Sequence, residues 1–137
     1  MEKIEVKIGW NGNNYSCITD NEALNGIILV TDKTIEGLKK SFIESLNFHI
    51  EGCINDNDVL QEWLLTGNYE IEYFLETSAL IHKLDNIITR SAIARVSGIN
   101  ERQIKHYASG QKTPRKQQRE RIINAVHTIS NELASVV

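Results

Sequence analysis

Long apolar runs are missing from this 137-residue sequence. That excludes a membrane-spanning helix, which needs about 20 predominantly apolar residues in succession. The opening MEKIEVKIGW also lacks the apolar stretch of a secretory signal, so a cytoplasmic protein is expected. Cysteine is scarce: Cys17 and Cys53 lie far apart with no Cys-x-x-Cys spacing, which implies reduced thiols rather than a disulfide framework. His49 and Cys53 fall one helical turn apart, but two ligands do not make a zinc site, and no metal is expected. Catalytic signatures are equally thin. There is no glycine-rich phosphate loop, and no Ser, Cys or His stands in a recognisable nucleophile setting. The carboxylates available for two-metal nuclease chemistry are Glu5, Asp20 and Asp32, which read as solvated acidic surface. The expectation is a binding protein with no cofactor, and a metal-dependent nuclease is the rival from the enzyme class.

Positive charge is the other shortage, and it is local. Residues 1–76 hold 5 Lys/Arg against 14 Asp/Glu, net −9, while residues 77–137 hold 10 against 4, net +6. A division this strong implies two surfaces with different clients, the acidic one suited to a basic partner and the basic one to a polyanion.

The hydropathy pattern divides the chain at the same place. Ile4, Val6, Ile8 and Trp10 alternate with polar residues, as in a half-buried strand. Asn11 to Asn14 supply a hairpin turn into a second strand, Tyr15 to Thr19, and the short apolar run Gly26 to Val30 reads as a third. From Ile35 the spacing of Leu38, Phe42, Leu46 and Ile50 is helical, with Thr34 placed to cap the helix and Gly52 to end it. After a polar break, Asn55 to Asp58, and a short apolar piece, Tyr69 to Leu75 alternates again. The fold class is therefore α+β: an N-terminal β-β-β-α-β domain, residues 1–76, with one helix on an antiparallel sheet, followed by an all-α domain, residues 77–137.

Four helices are expected in the second domain. Leu80, Ile81, Leu84 and Ile88 mark the first. Thr89 caps the second, whose inward residues are Ile93, Ala94 and Val96, and Gly98 stops it. Asn100 caps the third, with Gln103 at the reciprocal position of a capping box and Ile104, Tyr107 and Ala108 inward. Gly110 closes that helix, and Pro114, the sole proline, opens the last, whose stripe is Ile122, Val126, Ile129 and Leu133. Two short helices joined by a glycine-containing turn make a helix-turn-helix, whose second helix can enter the DNA major groove. Around that turn stand Arg95, Arg102, Lys105, His106 and Lys112 against the single acid Glu101. At 100° per residue from Ile104, the outward face of the third helix carries Arg102, Lys105, His106 and Ser109, flanked by Gln103.

The run from Thr89 to Pro114 resembles the helix-turn-helix of the XRE family of phage-repressor-like regulators, including the Gly-x-x-x-Pro formed by Gly110 and Pro114. The resemblance implies that Glu101, Arg102, Gln103 and His106 read base edges. It also implies that Thr89, Arg90, Lys105, Ser109, Lys112 and Arg115 hold phosphates. Tyr15 to Gly52 resembles the partial ribonuclease H-like domain of HicB-type antitoxins, with its glycine at Gly26, its Thr-x-x-x-Leu helix start at Thr34 and Leu38, and its closing His-Ile-Glu-Gly. Together the two imply an antitoxin of a type II toxin-antitoxin system. Such a protein neutralises a small basic HicA-like ribonuclease, binds operator DNA as a homodimer or higher homo-oligomer, and represses its own operon. A ligand-responsive repressor, with a first domain that senses a small molecule, is the alternative.

Overall fold

The alternation at the start of the chain produces β1 (Glu2–Trp10) in the computed structural model, which describes all 137 residues. Ile4, Val6 and Ile8 are fully buried, while Lys3, Glu5 and Lys7 between them are exposed. Asn11 Oδ1 accepts from the amides of Asn13 and Asn14, and Gly12 takes φ +99°, so the turn returns the chain as β2 (Tyr15–Thr19). A short 3-10 turn, Glu22–Leu24, leads to β3 (Ile28–Asp32), which starts two residues later than the apolar run suggests.

α1 spans Ile35–Asn55 and buries Leu38, Phe42, Leu46, Ile50 and Cys53. Thr34 Oγ1 caps it by accepting from Gly37 N at 3.0 Å. A Cβ at Gly37 would stand 2.1 Å from Asp32 Oδ2, so glycine here makes room for the carboxylate that also accepts from Thr34 N. Gly52 does not end the helix, contrary to the expectation. The buried face continues to Cys53, and packing of that face outweighs the propensity cost of one glycine, about 1 kcal/mol. The stop comes at Asn57, whose φ of +58° lets Asp58 N reach Cys53 O at 2.9 Å. A single helical turn, α2 (Glu62–Leu65), precedes β4 (Tyr69–Leu75).

The sheet order is β3-β2-β1-β4. β1 and β2, and β2 and β3, are antiparallel, but β4 runs parallel to β1, with Ile4 opposite Ile71 and Ile8 opposite Leu75. The sheet is thus mixed rather than antiparallel, because the chain crosses through α1 before adding its fourth strand beside the first. α1 covers the face that carries Ile4, Val6, Ile8, Cys17 and Ile28, and Phe42 meets Tyr73 edge to face at 6.3 Å.

The chain divides into two compact units, Met1–Glu76 and Thr77–Val137. The second is all helix: α3 (Thr77–Leu84), α4 (Arg90–Ser97), α5 (Glu101–Ala108) and α6 (Lys116–Ala134). Its core gathers Ile81, Ile93, Ala94, Ile99, Ile104, Tyr107, Ala108 and Ile122. Several details depart from the sequence expectation. Ile88 lies beyond the end of α3, yet packs on the core. Val96 is 41% exposed, on the outer side of α4. α6 begins at Lys116 with Arg115 at the cap position, so Pro114 precedes the helix instead of opening it. Leu133 near its end is exposed. No helix is long and apolar enough to cross a membrane.

Candidate nucleic-acid interface

Four local devices set α4 against α5. Thr89 Oγ1 accepts from Ala92 N at 3.0 Å and starts α4. Gly98 ends it at φ +72°, a left-handed conformation that glycine adopts without Cβ strain, and its amide returns to Ala94 O at 2.9 Å. Ile99 then drops into the core, and Asn100 Oδ1 accepts from Arg102 N at 2.8 Å to start α5. Ile104, Tyr107 and Ala108 face inward, which fixes the rotation of α5 and turns Arg102, Lys105 and Ser109 to solvent.

The candidate side chains do not share one status. Arg102 and Lys105 are exposed, and no acceptor within the chain holds either. Lys112 and Arg115, beyond α5, are likewise exposed and unpaired at the side chain. Arg90 is committed: its Nε and Nη2 grip Asp85 Oδ1 and Oδ2 at 3.1 and 2.9 Å, a bidentate pair that raises the guanidinium pKa. A phosphate at Arg90 would compete with Asp85. Glu101 Oε1 accepts from Ser91 Oγ at 2.5 Å, tying the first turn of α5 to the first turn of α4. Gln103 does not close a capping box. Its Nε2 donates to the Tyr107 hydroxyl at 3.0 Å, one turn further along, leaving Asn100 to cap alone.

Thr89 and Ser109 play local roles. The Thr89 oxygen serves the cap, while Ser109 Oγ donates to His106 O and accepts from Gln111 N, shaping the loop after α5. His106 is half-buried, and its Nδ1 is shut away from solvent without a hydrogen-bond partner. A buried ring nitrogen without a partner is uncommon in folded proteins. Two shallow grooves run past His106. One is lined by Arg90, Glu101, Arg102, Lys105, Ser109 and Gln111, the other by Asn100, Arg102, Gln103, Lys112, Gln118 and Arg121. Eight of the ten candidates line one or both grooves, Arg102 and His106 on both, while Thr89 and Arg115 line neither.

Arg121 was not legible in the sequence. From α6 its Nε and Nη2 donate to Ser97 O at 3.2 and 2.9 Å, and Nη1 donates to Gln118 Oε1 at 2.8 Å. It thus caps the carboxyl end of α4 with a cation, where the helix dipole favours one. Nothing in its spacing distinguishes it from a phosphate-binding arginine.

In the first unit, no three His, Cys, Asp or Glu side chains are placed to hold a metal ion. His49 Nε2 lies 3.6 Å from Cys53 Sγ and also bonds to Leu24 O. Comparison of the chain with protein-family models, curated proteins and solved structures returns no match.

Proposed function

We propose that this chain is an operator-binding antitoxin: its second unit reads DNA through α5 and its first unit holds a small basic toxin. The observation that carries the DNA half is the outer face of α5. There Arg102 and Lys105 stand exposed and unpaired opposite the buried Ile104, on a helix fixed by the left-handed turn at Gly98. A guanidinium held clear of internal acceptors can address guanine bidentately, and the amino-terminal part of a recognition helix is the part that meets base edges. Lys105, Lys112 and Arg115 supply phosphate contacts. Two copies then contribute six, enough to lose roughly 10³-fold or more in affinity between 50 and 200 mM salt. The toxin half rests on the net −9 charge of residues 1–76 and on the HicB-like run from Tyr15 to Gly52.

Two assays test the pair of claims. The full chain is titrated by fluorescence anisotropy with the DNA upstream of its own reading frame over that salt range. It is then co-expressed from a foreign promoter with the product of the adjacent reading frame, and growth is followed. Salt-sensitive, sequence-preferring binding with growth rescue is expected. Binding without any toxic neighbour would move the reading to the ligand-responsive repressor, and absence of DNA binding would remove both.

A further inference from the structure

β3 is an edge strand with β2 as its sole neighbour, so one side of its backbone has no strand partner. Natural edges of this kind are protected by charge, proline or a bulge. This one carries a single charge, Asp32 at its end, and none of these devices between Ile27 and Thr31, the sequence Ile-Ile-Leu-Val-Thr. Ile27 and Leu29 are 65% and 64% exposed. Beside the edge runs a groove whose far wall is α1, with Ser45, Phe48 and Gly52 facing Ile27 and Leu29. Phe48 is 78% exposed, and the space over Gly52 is open, since a Cβ there would meet nothing within 4 Å.

We infer that the β3 edge is the contact between two copies of this chain, joined by antiparallel β3 pairing about a two-fold axis at Leu29. The strand is complementary to its own reverse. Around Leu29, Ile28 would stand opposite the partner's Val30 and Ile27 opposite the partner's Thr31, so the central cross-strand pairs join apolar or β-branched residues, the pairs that stabilise sheets, and Asp32 falls opposite the partner's Gly26 at the ends. The same axis sets the two α1 helices antiparallel and lets each Phe48 fill the open space over the partner's Gly52. An isologous contact of this kind is the commonest route to a soluble dimer. The inference deepens the reading above, whose two-copy operator complex needs a contact outside the helix-turn-helix, but the measurements that decide it, dimer mass and cross-linking, use no DNA and no toxin.

The test is sedimentation equilibrium of the full chain at micromolar concentration, with two substitutions. Leu29→Lys points a charge outward from the edge without touching the core, and should lower the dimer association constant at least tenfold with unchanged circular dichroism. Leu29→Cys should give a covalent dimer on mild oxidation, since the two side chains face each other across the axis, whereas Ile43→Cys, exposed elsewhere on α1, should not. A monomeric wild type would overturn the inference. So would a folded Leu29→Lys protein that keeps its dimer mass, or an oxidised Leu29→Cys protein that stays monomeric. If Leu29→Lys leaves self-association intact but abolishes growth rescue, the edge belongs to the toxin instead.

Discussion

Two arginines border the groove beside α5, and the proposed function gives them opposite fates. Arg102 is exposed and unpaired at the side chain, so Arg102→Ala removes nothing from the folded unit and should change stability by no more than about 0.5 kcal/mol. On the operator it should cost about 1–3 kcal/mol per half-site, a bidentate base contact, which is roughly 5- to 150-fold in affinity. Arg121 is the reverse case. Its two bonds to Ser97 O fasten α6 to the end of α4, while a third, to Gln118 Oε1 on α6 itself, holds the guanidinium in place. Because the side chain is exposed, the net loss in Arg121→Ala is about 0.5–1.5 kcal/mol, which lowers Tm by about 4–8 °C per kcal/mol in a unit of this size. Anisotropy against the operator and against single-base variants, run beside thermal melts of both proteins, separates the two. Arg102→Ala should bind all variants with similar weakness at an unchanged Tm. The reasoning fails if Arg102→Ala weakens every sequence alike and flattens the salt dependence by about one unit, since that is a phosphate contact. It also fails if Arg121→Ala melts like the wild type.

Replacing Lys105, Lys112 or Arg115 by Ala should each reduce the log-log salt slope by about one unit, read from binding isotherms at several salt concentrations. Arg90→Ala should reduce it by less, because Asp85 already neutralises that guanidinium; an equal reduction would show that Asp85 releases it on DNA. Gly98→Ala forces a Cβ into a left-handed conformation 3.1 Å from Arg121 Nη2, and should lower stability by about 1–2 kcal/mol in a urea melt. Burial holds the Cys17 thiol at a pKa pushed up to about 11, so the fold favours the neutral thiol. Its contribution is fully present below the ordinary thiol pKa near 9 and declines as pH rises towards 11. Melts between those pH values should show the loss, and Cys17→Ala should remove that part of the pH dependence.

Periodicity made the faces of nearly every element readable: Ile4, Val6 and Ile8 on β1, Leu38 to Ile50 on α1, and Ile104, Tyr107 and Ala108 on α5 are the buried sets that their spacing implies. What could not be read depends on residues far apart in sequence. The parallel pairing of β4 with β1 joins Ile4 to Ile71, a choice that the alternation within either strand does not record. The run of α1 past Gly52 depends on Cys53 finding a core to fill. Charge counting had the same limit. Of the six arginines after residue 76, Arg90, Arg119 and Arg121 hold Asp85, Thr77 and Ser97, so a count of ten Lys/Arg overstates the cations free to meet a polyanion. Arg95, Arg102 and Arg115 have no such commitment.

A folded chain satisfies its polar groups and covers its apolar ones, so places where it does neither mark where something else must arrive. Two such places bear on the proposed function, and they differ in kind. On α5 the deficit is one of charge: Arg102 and Lys105 stand exposed without counter-ions. Along β3 the deficit is apolar: Ile27, Leu29 and Phe48 open to water beside a backbone edge without a strand partner. A partner for the first must bring acceptors and negative charge, and a partner for the second must bring a strand. Nucleic acid meets the first demand and cannot meet the second, whereas a second copy of β3 meets the second and brings no anion to the first. On the proposed reading the two deficits call for different partners, linked only in that pairing of two copies brings two DNA-reading units together. DNA binding by the Leu29→Lys protein should keep its base preference on a single half-site while losing affinity for the paired operator.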